Sequence, residues 1–92
     1  MLDVVYSKQF KKDYKIIKKR GYDTDKLFDI IFKLRKQEKL PEKYKDHNLL
    51  GEYIGFRECH IQPDWLLIYL KENDVLTLTL VATGSHSDLL DM

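Results

Sequence analysis

The spacing of the apolar residues changes once along this 92-residue chain, immediately after Leu40-Pro41. Before that point apolar side chains recur every three or four residues, which is typical of helices. After it they form short runs rich in β-branched and aromatic residues, which are typical of strands. A chain of this length supports one hydrophobic core. The sequence therefore predicts a single α+β domain over residues 1–92, in which helices and one sheet form separate layers.

Two helices are predicted ahead of the change. Ser7 is a good N-cap for the first helix, and Gly21 stands where a helix C-terminus is expected. Asp23 or Thr24 can cap the second helix, whose apolar residues recur at helical spacing between positions 27 and 34. Because the connection between them is short, the two helices should form an antiparallel hairpin.

Four strands are predicted around this hairpin. One strand, Leu2 to Tyr6, precedes it, and three follow it, at Tyr53 to Ile61, Trp65 to Lys71 and Val75 to Val81. Short turns join the last three strands, which predicts an antiparallel meander. The tail from Ser85 predicts one further helical turn. We expect the helices to cover one face of the sheet and the other, polar face to remain open for a ligand.

Alternation of side chains along a strand separates a core face from a polar face. Glu58 and His60 share one face of their strand, whereas Arg57, Cys59 and Ile61 share the other. Cys59 is therefore expected to be a small buried hydrophobe rather than a nucleophile. In the last predicted strand the apolar face is marked by Leu76, Leu78 and Leu80.

All three histidines, His47, His60 and His86, lie in short polar segments of the second half. Imidazole suits proton transfer near neutral pH, and Glu58 and Asp64 could act with it. The pattern leaves three interpretations open: an acid/base site, three isolated surface residues, or a zinc site. A zinc site commonly contains a close pair of ligands such as His-x-x-x-His, which this sequence lacks. The glycines are scattered and form no phosphate-binding loop. We expect acid/base chemistry with no metal and no cofactor.

Positive charge is concentrated in the first half. Fourteen of the sixteen lysines and arginines lie between Lys8 and Lys45, although the whole chain has a formal net charge of +1. Such a half can present a positive face to nucleic acid or to an acidic protein, or it can be the solvated side of two helices. Residues 1–7 lack the pattern of a secretion signal, and no apolar run approaches the ~18 residues of a membrane span. We expect a cytoplasmic protein without a membrane partner.

Three segments form a recognisable pattern: Tyr44 to Gly51 (YKDHNLLG), Gly55 to Tyr69 (GFRECHIQPDWLLIY) and Thr83 to Leu89 (TGSHSDL). In their order and spacing they resemble the YafQ branch of the RelE/ParE toxin superfamily. The resemblance implies a RelE-like fold and the toxin of a bacterial type II toxin-antitoxin module, a ribosome-dependent endoribonuclease that cuts mRNA in the A site. It also implies partners: a cognate antitoxin, the ribosome with its mRNA, and operator DNA only through the antitoxin complex.

The resemblance also assigns roles to individual positions. His86 matches the family's C-terminal histidine and is the candidate proton donor, while His47, His60 and Asp64 match the other residues tied to catalysis. The identity of the general base stays open, because Asp64 would need a raised pKa to act as a base near neutral pH. The candidates for substrate binding are Glu58, Trp65, Arg57, Lys45 and the position of Ala82. Trp65 could stack on an RNA base, although strand parity equally allows it to lie in the core. The candidates for ribosome binding are Lys11, Lys15, Lys18, Lys19, Arg20, Lys33 and Lys36.

The chain departs from the family pattern at two positions. Ala82 stands where relatives usually have arginine, a side chain suited to holding the scissile phosphate. Its absence, as an evolved loss or a deliberate substitution, predicts attenuated activity unless Arg57 or Lys45 supplies the cation. Leu90 stands where relatives often have phenylalanine. An alternative function therefore stays open, that of a non-enzymatic antitoxin-binding or ParE-like inhibitory module.

Overall fold

The structure, a computed structural model, describes residues 1–90 and, at Leu90, only the helical backbone. The strands are β1 Asp3–Tyr6, β2 His47–Asn48, β3 Arg57–Gln62, β4 Trp65–Glu72 and β5 Thr77–Gly84. The helices are α1 Lys8–Lys19, α2 Thr24–Arg35 and α3 His86–Leu90. The predicted α+β class is confirmed. Within residues 1–90, no helix has the length and apolar character needed to cross a membrane.

The five strands form one sheet in the order β1-β5-β4-β3-β2. The meander of β3, β4 and β5 is antiparallel as predicted, and β1 pairs with β5 in parallel. The sequence did not predict that pairing, because the partner of a first strand depends on how the helical hairpin folds back. It also missed β2, since two residues are too few to produce a periodic pattern.

Local signals set the ends of the two long helices. The Ser7 hydroxyl accepts a hydrogen bond from the N–H of Phe10 (2.9 Å) and donates one to the carbonyl of Val81 (2.7 Å). Gly21 ends α1 in the left-handed conformation, at φ +83°, which glycine adopts at little cost. Asp23 caps α2 by accepting from a backbone N–H at its start. The predicted hairpin is confirmed, and Ser7 ties its first turn to β5.

The core lies between the two long helices and one face of the sheet. Its side chains include Phe10, Ile17, Leu27, Ile30, Cys59, Ile61, Trp65, Leu67, Tyr69, Leu78 and Leu80. Cys59 is fully buried, as predicted, and burial raises the pKa of its thiol. β4 is the middle strand, and every residue from Trp65 to Tyr69 is buried. The expectation of an open polar face is therefore wrong at its centre, where Leu66 and Ile68 are buried.

Two predicted strand starts are also wrong. β3 begins at Arg57 rather than Tyr53, because residues 51–53 form a 3-10 turn. β5 begins at Thr77, and Leu76 is exposed with a left-handed backbone (φ +50°). Leu76 thus does not mark the apolar face. The helical turn predicted after Ser85 is present as α3. The side chain of Leu90 lies outside the described residues, as do residues 91 and 92.

A β-bulge in β5 changes which face its side chains occupy. Tyr69 pairs with Leu80, but Ile68 pairs with Ala82, so Val81 is an extra residue on β5. Leu80 consequently faces the core while Ala82 lies on the opposite face. The hydrogen bond from Ser7 holds the carbonyl of Val81 at this bulge. The bulge therefore places position 82 on the same side of the sheet as Glu58 and the histidines.

Candidate active site

Strand register lines up the candidate residues in two rows on the face opposite the core. One row contains His47, Glu58, Ile68 and Ala82. The next row contains His60, Leu66 and Gly84. Because Gly84 is followed by Ser85 and His86, the third histidine enters at the end of the second row. Three strands and the start of α3 thus deliver the candidates to one region.

The three imidazole rings lie next to one another. The ring centroids of His47 and His60 are 6.2 Å apart, and those of His60 and His86 are 5.5 Å apart. His60 is the central ring and is mostly buried, whereas His47 is about half exposed. The sequence suggested that these side chains could converge, and the structure brings all three together.

Glu58 is a buried carboxylate beneath two of these rings. Its side chain is 5% exposed, and its Oε1 lies 3.5 Å from Nε2 of His47 and 3.5 Å from Nε2 of His60. Within residues 1–90, its Oε2 has no hydrogen-bond partner. Nδ1 of His47 donates to the carbonyl of Lys45 at 2.5 Å, because a carbonyl can only accept. Both nitrogens of His47 therefore face protein groups, and Glu58 supplies negative charge beneath the pair of rings.

Asp64 orients His86. It lies in the two-residue turn between β3 and β4, where its Oδ1 accepts hydrogen bonds from the backbone N–H of His86 (3.0 Å) and from Nδ1 of its ring (2.7 Å). These bonds lower the pKa of Asp64. The shift is opposite to the one that a carboxylate base near neutrality would need, so the geometry favours Asp64 as a positioning residue. Nε2 of His86 makes no hydrogen bond to another described residue.

A second carboxylate, Asp88, holds α3 in place. The N–H of Ser85 donates to Asp88 and the N–H of Asp88 donates to the Ser85 hydroxyl, which is a reciprocal capping box at the start of α3. The guanidinium of Arg20 binds both carboxylate oxygens of Asp88, at 2.6 and 3.2 Å. Arg20 was predicted to bind the ribosome, but it links the end of α1 to the helix that carries His86.

This ion pair predicts how stability responds to acid. The guanidinium of Arg20 holds the pKa of Asp88 well below the usual aspartate value of about 3.9. A carboxylate whose pKa is lower in the folded state than in the unfolded state stabilises the fold at any pH above its unfolded-state pKa. That stabilisation is lost as the pH falls toward the folded-state pKa. We expect the Tm of Asp88→Asn to depend less on pH below about 4 than the Tm of the parent. Asp3→Asn, at an exposed carboxylate without an ion pair inside residues 1–90, is the control, and equal acid profiles for Asp88→Asn and the parent would contradict the prediction.

Trp65 belongs to the core. Its side chain is 1% exposed, and its ring meets that of Tyr22 edge to face at 4.9 Å. Its indole N–H donates to the hydroxyl of Thr83 (3.0 Å), and the backbone N–H of Thr83 donates to the buried carboxylate of Asp13 (3.1 Å). Trp65 is thus not available to stack on an RNA base. It fixes the end of β5 just ahead of His86.

The structure separates the two cations considered as substitutes for an arginine at position 82. Arg57 lies opposite Tyr69 on the helix side of the sheet and binds Asp46 (3.2 Å) and Asn48 (2.6 Å). The side chain of Arg57 therefore lies on the other face of the sheet from the histidines. Lys45 is exposed and lines the same cavity as His60 and His86.

Apart from Arg20, the basic residues proposed for ribosome binding fall into two groups. Lys33 and Lys36 are paired with Asp29 (3.1 Å) and Glu38 (2.8 Å). The lysines of α1 are all exposed, and within residues 1–90 they form no ion pair; those among the candidates are Lys11, Lys15, Lys18 and Lys19. The free positive charge of this set is therefore concentrated on α1.

Sequence reasoning missed several residues that shape the site. The capping role of Asp88 could have been predicted, because Ser85-His86-Ser87-Asp88 matches the capping-box pattern. No sequence pattern predicted the role of Asp13, since an acidic residue on a basic amphipathic helix is usually solvated. Lys26 and Lys43 line the cavity beside His60 and His86, and the sequence gives no reason to bring them there.

Comparison with known proteins agrees with this architecture. A sequence model of the family described as "Bacterial toxin of type II toxin-antitoxin system, YafQ" matches residues 2–91. The mRNA interferase toxin YafQ of Escherichia coli K12 is 42% identical over 88 residues, which is 95% of this chain and 94% of that protein. The E. coli DinJ-YafQ complex contains a chain with 39% identity and a TM-score of 0.87, over 97% of this chain and 98% of that one.

A crystal structure of a metal-bound toxin from Helicobacter pylori is also similar, with 46% identity and a TM-score of 0.91 over 97% of this chain and 99% of that one. The side chains here do not fit a metal ion as arranged. Nε2 of His47 and of His60 face Glu58, while Nδ1 of His86 faces Asp64, so the three rings do not direct nitrogens to one point. In the described part of the chain, no group of three or more His, Cys, Asp or Glu is placed to hold a metal.

The shared fold, the matched segments and the identity over almost the full length lead to one conclusion. This chain belongs to the YafQ family of bacterial toxins of type II toxin-antitoxin systems.

Proposed function

We propose that this chain is an mRNA interferase, a ribosome-dependent endoribonuclease that cuts mRNA in the A site and serves as the toxin of a type II module. The name of the E. coli relative supports the activity. The observation that carries the proposal is the pair of adjacent rings, His60 and His86, each backed by its own carboxylate, Glu58 and Asp64. Two imidazoles with separate acidic partners can perform opposite proton transfers at one bond.

The reaction needs three tasks. A base removes the proton of the ribose 2'-hydroxyl, whose oxygen attacks the adjacent phosphorus. An acid protonates the 5'-oxygen as its bond to phosphorus breaks, and cations stabilise the charged phosphorane between these steps. The products are a 2',3'-cyclic phosphate and a 5'-hydroxyl, so atoms balance without a water molecule. Side chains alone can carry both proton transfers.

His60 is the better placed of the two remaining candidates for the base. Its Nε2 is directed at Glu58, while its Nδ1 makes no hydrogen bond to any other residue in the described range. An imidazole that donates through Nε2 presents a free lone pair at Nδ1. His47, in contrast, has Nδ1 on the carbonyl of Lys45 and Nε2 toward Glu58. We assign proton removal to His60 and positioning of the base to Glu58 and His47.

His86 acts as the proton donor. Asp64 accepts from Nδ1 of the ring, which fixes the ring orientation and leaves Nε2 without a hydrogen bond to another described residue. A carboxylate in this position also stabilises the positive charge of the imidazolium that donates the proton. The centroid separation of 5.5 Å between His60 and His86 leaves both rings within reach of a single phosphodiester.

The proposal is tested first in cells. Induced expression of the chain is expected to arrest growth, and primer extension on a reporter message should reveal new 5' ends within codons. Co-expression of the cognate antitoxin should prevent both effects. Growth arrest without new 5' ends would support the second candidate, a non-enzymatic inhibitory or antitoxin-binding module, which Ala82 favours because it removes the usual phosphate-binding cation.

Binding to the ribosome is predicted to depend steeply on salt. The exposed lysines of α1 are suited to RNA phosphates, and each contact releases counterions, so log K falls with log salt by about 0.7 to 0.9 per phosphate contacted. We expect sedimentation of the chain with ribosomes to be lost between low and moderate salt, with a shallower slope for the Lys11→Ala/Lys15→Ala double variant. A flat salt response would count against this use of α1.

The partner and the location follow from the same proposal. The E. coli YafQ chain forms a complex with the antitoxin DinJ, and we propose that a cognate antitoxin covers this chain in the same way. Operator DNA would be bound only through that complex. Because its substrate is translated mRNA, the chain is proposed to act in the bacterial cytoplasm.

A further inference from the structure

A cavity of about 670 Å³ extends from the histidine pair toward the basic half of the chain. Its walls come from the first turn of α2, from the 3-10 turn Glu42–Tyr44, and from the turn between β3 and β4. His60 and His86 line this cavity together with Lys26, Lys43 and Lys45. The volume falls within the range of about 300–1,000 Å³ that is usual for small-ligand sites.

The charge of this cavity favours an anion. Lys26, Lys43 and Lys45 are all exposed, and within residues 1–90 none of them is in an ion pair. Among the described residues, the one carboxylate in the lining is Asp29, and it is neutralised by Lys33 at 3.1 Å. Three uncompensated ammonium groups around one concave space attract phosphate strongly. The other two positions considered for a cation do not supply one, since Arg57 is bound to Asp46 and position 82 is alanine.

The cavity also offers an apolar surface that suits a nucleobase. The half-buried ring of Tyr44 lies in the lining together with Ile61 and Pro63. Lys43 holds its ammonium group 5.0 Å from the centre of the Tyr44 ring, so cation and ring are presented side by side. A phosphate next to a planar apolar surface is the chemistry of a nucleotide, and aromatic rings commonly stack on unpaired bases.

We propose that this cavity is the subsite for the nucleotide next to the scissile bond, with its phosphate held by Lys26, Lys43 and Lys45 and its base against Tyr44. The inference rests on the proposed function, because an occupant of this space lies against both His60 and His86. The three lysines then hold the phosphate of the neighbouring nucleotide, and the scissile phosphate still lacks the cation that an arginine at position 82 would contribute. The substrate is held from the side of the helical hairpin rather than from β5.

A binding experiment tests the subsite without requiring cleavage. The probe is a trinucleotide with 2'-O-methyl groups, which lacks the attacking hydroxyl, and binding is followed by amide NMR shifts of the chain off the ribosome. We expect saturable shifts at Tyr44, Lys45 and Gln62. The Lys26→Ala/Lys43→Ala variant should bind the probe about tenfold or more weakly, because charge-assisted hydrogen bonds are lost. Lys45 is left unchanged, since its left-handed backbone (φ +49°) and its carbonyl hold His47.

The matched control is Lys39→Ala/Lys71→Ala, which removes two exposed lysines outside both the cavity and α1 and should bind the probe as the parent does. Equal weakening in both double variants, or shifts confined to α1, would overturn the subsite. So would a Lys26→Ala/Lys43→Ala variant that binds RNA normally and loses antitoxin affinity. Probe binding in the cavity without cleavage on ribosomes would refute the proposed activity alone, whereas cleavage with no lysine dependence would refute the subsite alone.

Discussion

Replacing His86 with alanine is expected to lower the rate of mRNA cleavage by about 10²- to 10⁴-fold, the usual contribution of one general acid. The ring is the only group at the end of β5 that can protonate a leaving 5'-oxygen while a carboxylate, Asp64, balances its charge within the described chain. The measurement is the single-turnover rate on ribosomes that carry a defined codon in the A site.

Two comparisons separate loss of chemistry from loss of structure. His86 is half-buried at the first position of α3, and its backbone N–H still binds Asp64 after substitution, so the Tm should change little. Asp64→Asn should cause a smaller loss than His86→Ala, because the proton donor remains and only its orientation and charge balance are weakened. Cleavage by His86→Ala at the parental rate would remove His86 from the reaction.

Replacing Ala82 with arginine is expected to raise the cleavage rate by about 10²-fold or more, the effect of one well-placed group on a developing anion. The bulge at Val81 places position 82 on the histidine side of the sheet, opposite Ile68 and in the row of Glu58 and His47. β1 ends at Tyr6, which pairs with Leu80, so within residues 1–90 no strand flanks Ala82 on its outer side. Ala82 is only 8% exposed, so an arginine there has to extend along the sheet face toward the phosphate between His60 and His86.

The control is Thr77→Arg, which adds the same cation on the same strand five residues away. It should raise ribosome affinity slightly through charge and leave the single-turnover rate unchanged. If the two arginine variants cleave equally fast, the effect of Ala82→Arg is general electrostatic attraction. If neither exceeds the parent, the lysines of the cavity already supply the needed charge and position 82 is neutral.

Much of the fold could be predicted from local signals. The caps at Ser7, Gly21 and Asp23 and the two short turns of the meander act over a few residues, so the sequence determines them directly. The parallel pairing of β1 with β5 depends on contacts between distant segments. The predicted strand beginning at Tyr53 failed because Gly51 and Gly55 adopt positive φ and produce a turn in an apolar run.

The residues of the candidate site could be predicted from the sequence, but their arrangement could be predicted only in part. Alternation along β3 correctly placed Glu58 with His60, because side-chain parity is a local property of a strand. Parity left Trp65 open between the core and base stacking, and the structure places it in the core. Parity could not reveal that Val81 is bulged or that Arg57 is bound to Asp46. It also could not show that the pKa of Asp64 is lowered, because that shift depends on a hydrogen bond to His86, 22 residues away.

The most direct test of the central claim is cleavage of mRNA on programmed ribosomes, mapped to the nucleotide. We predict a single cut within the A-site codon that leaves a 2',3'-cyclic phosphate and a 5'-hydroxyl, and that is lost in His86→Ala. The reaction should persist with a chelator that removes zinc and copper but leaves the magnesium that ribosomes require. Absence of a cut from both the parent and Ala82→Arg, with ribosomes bound, would contradict the account and favour a binding module.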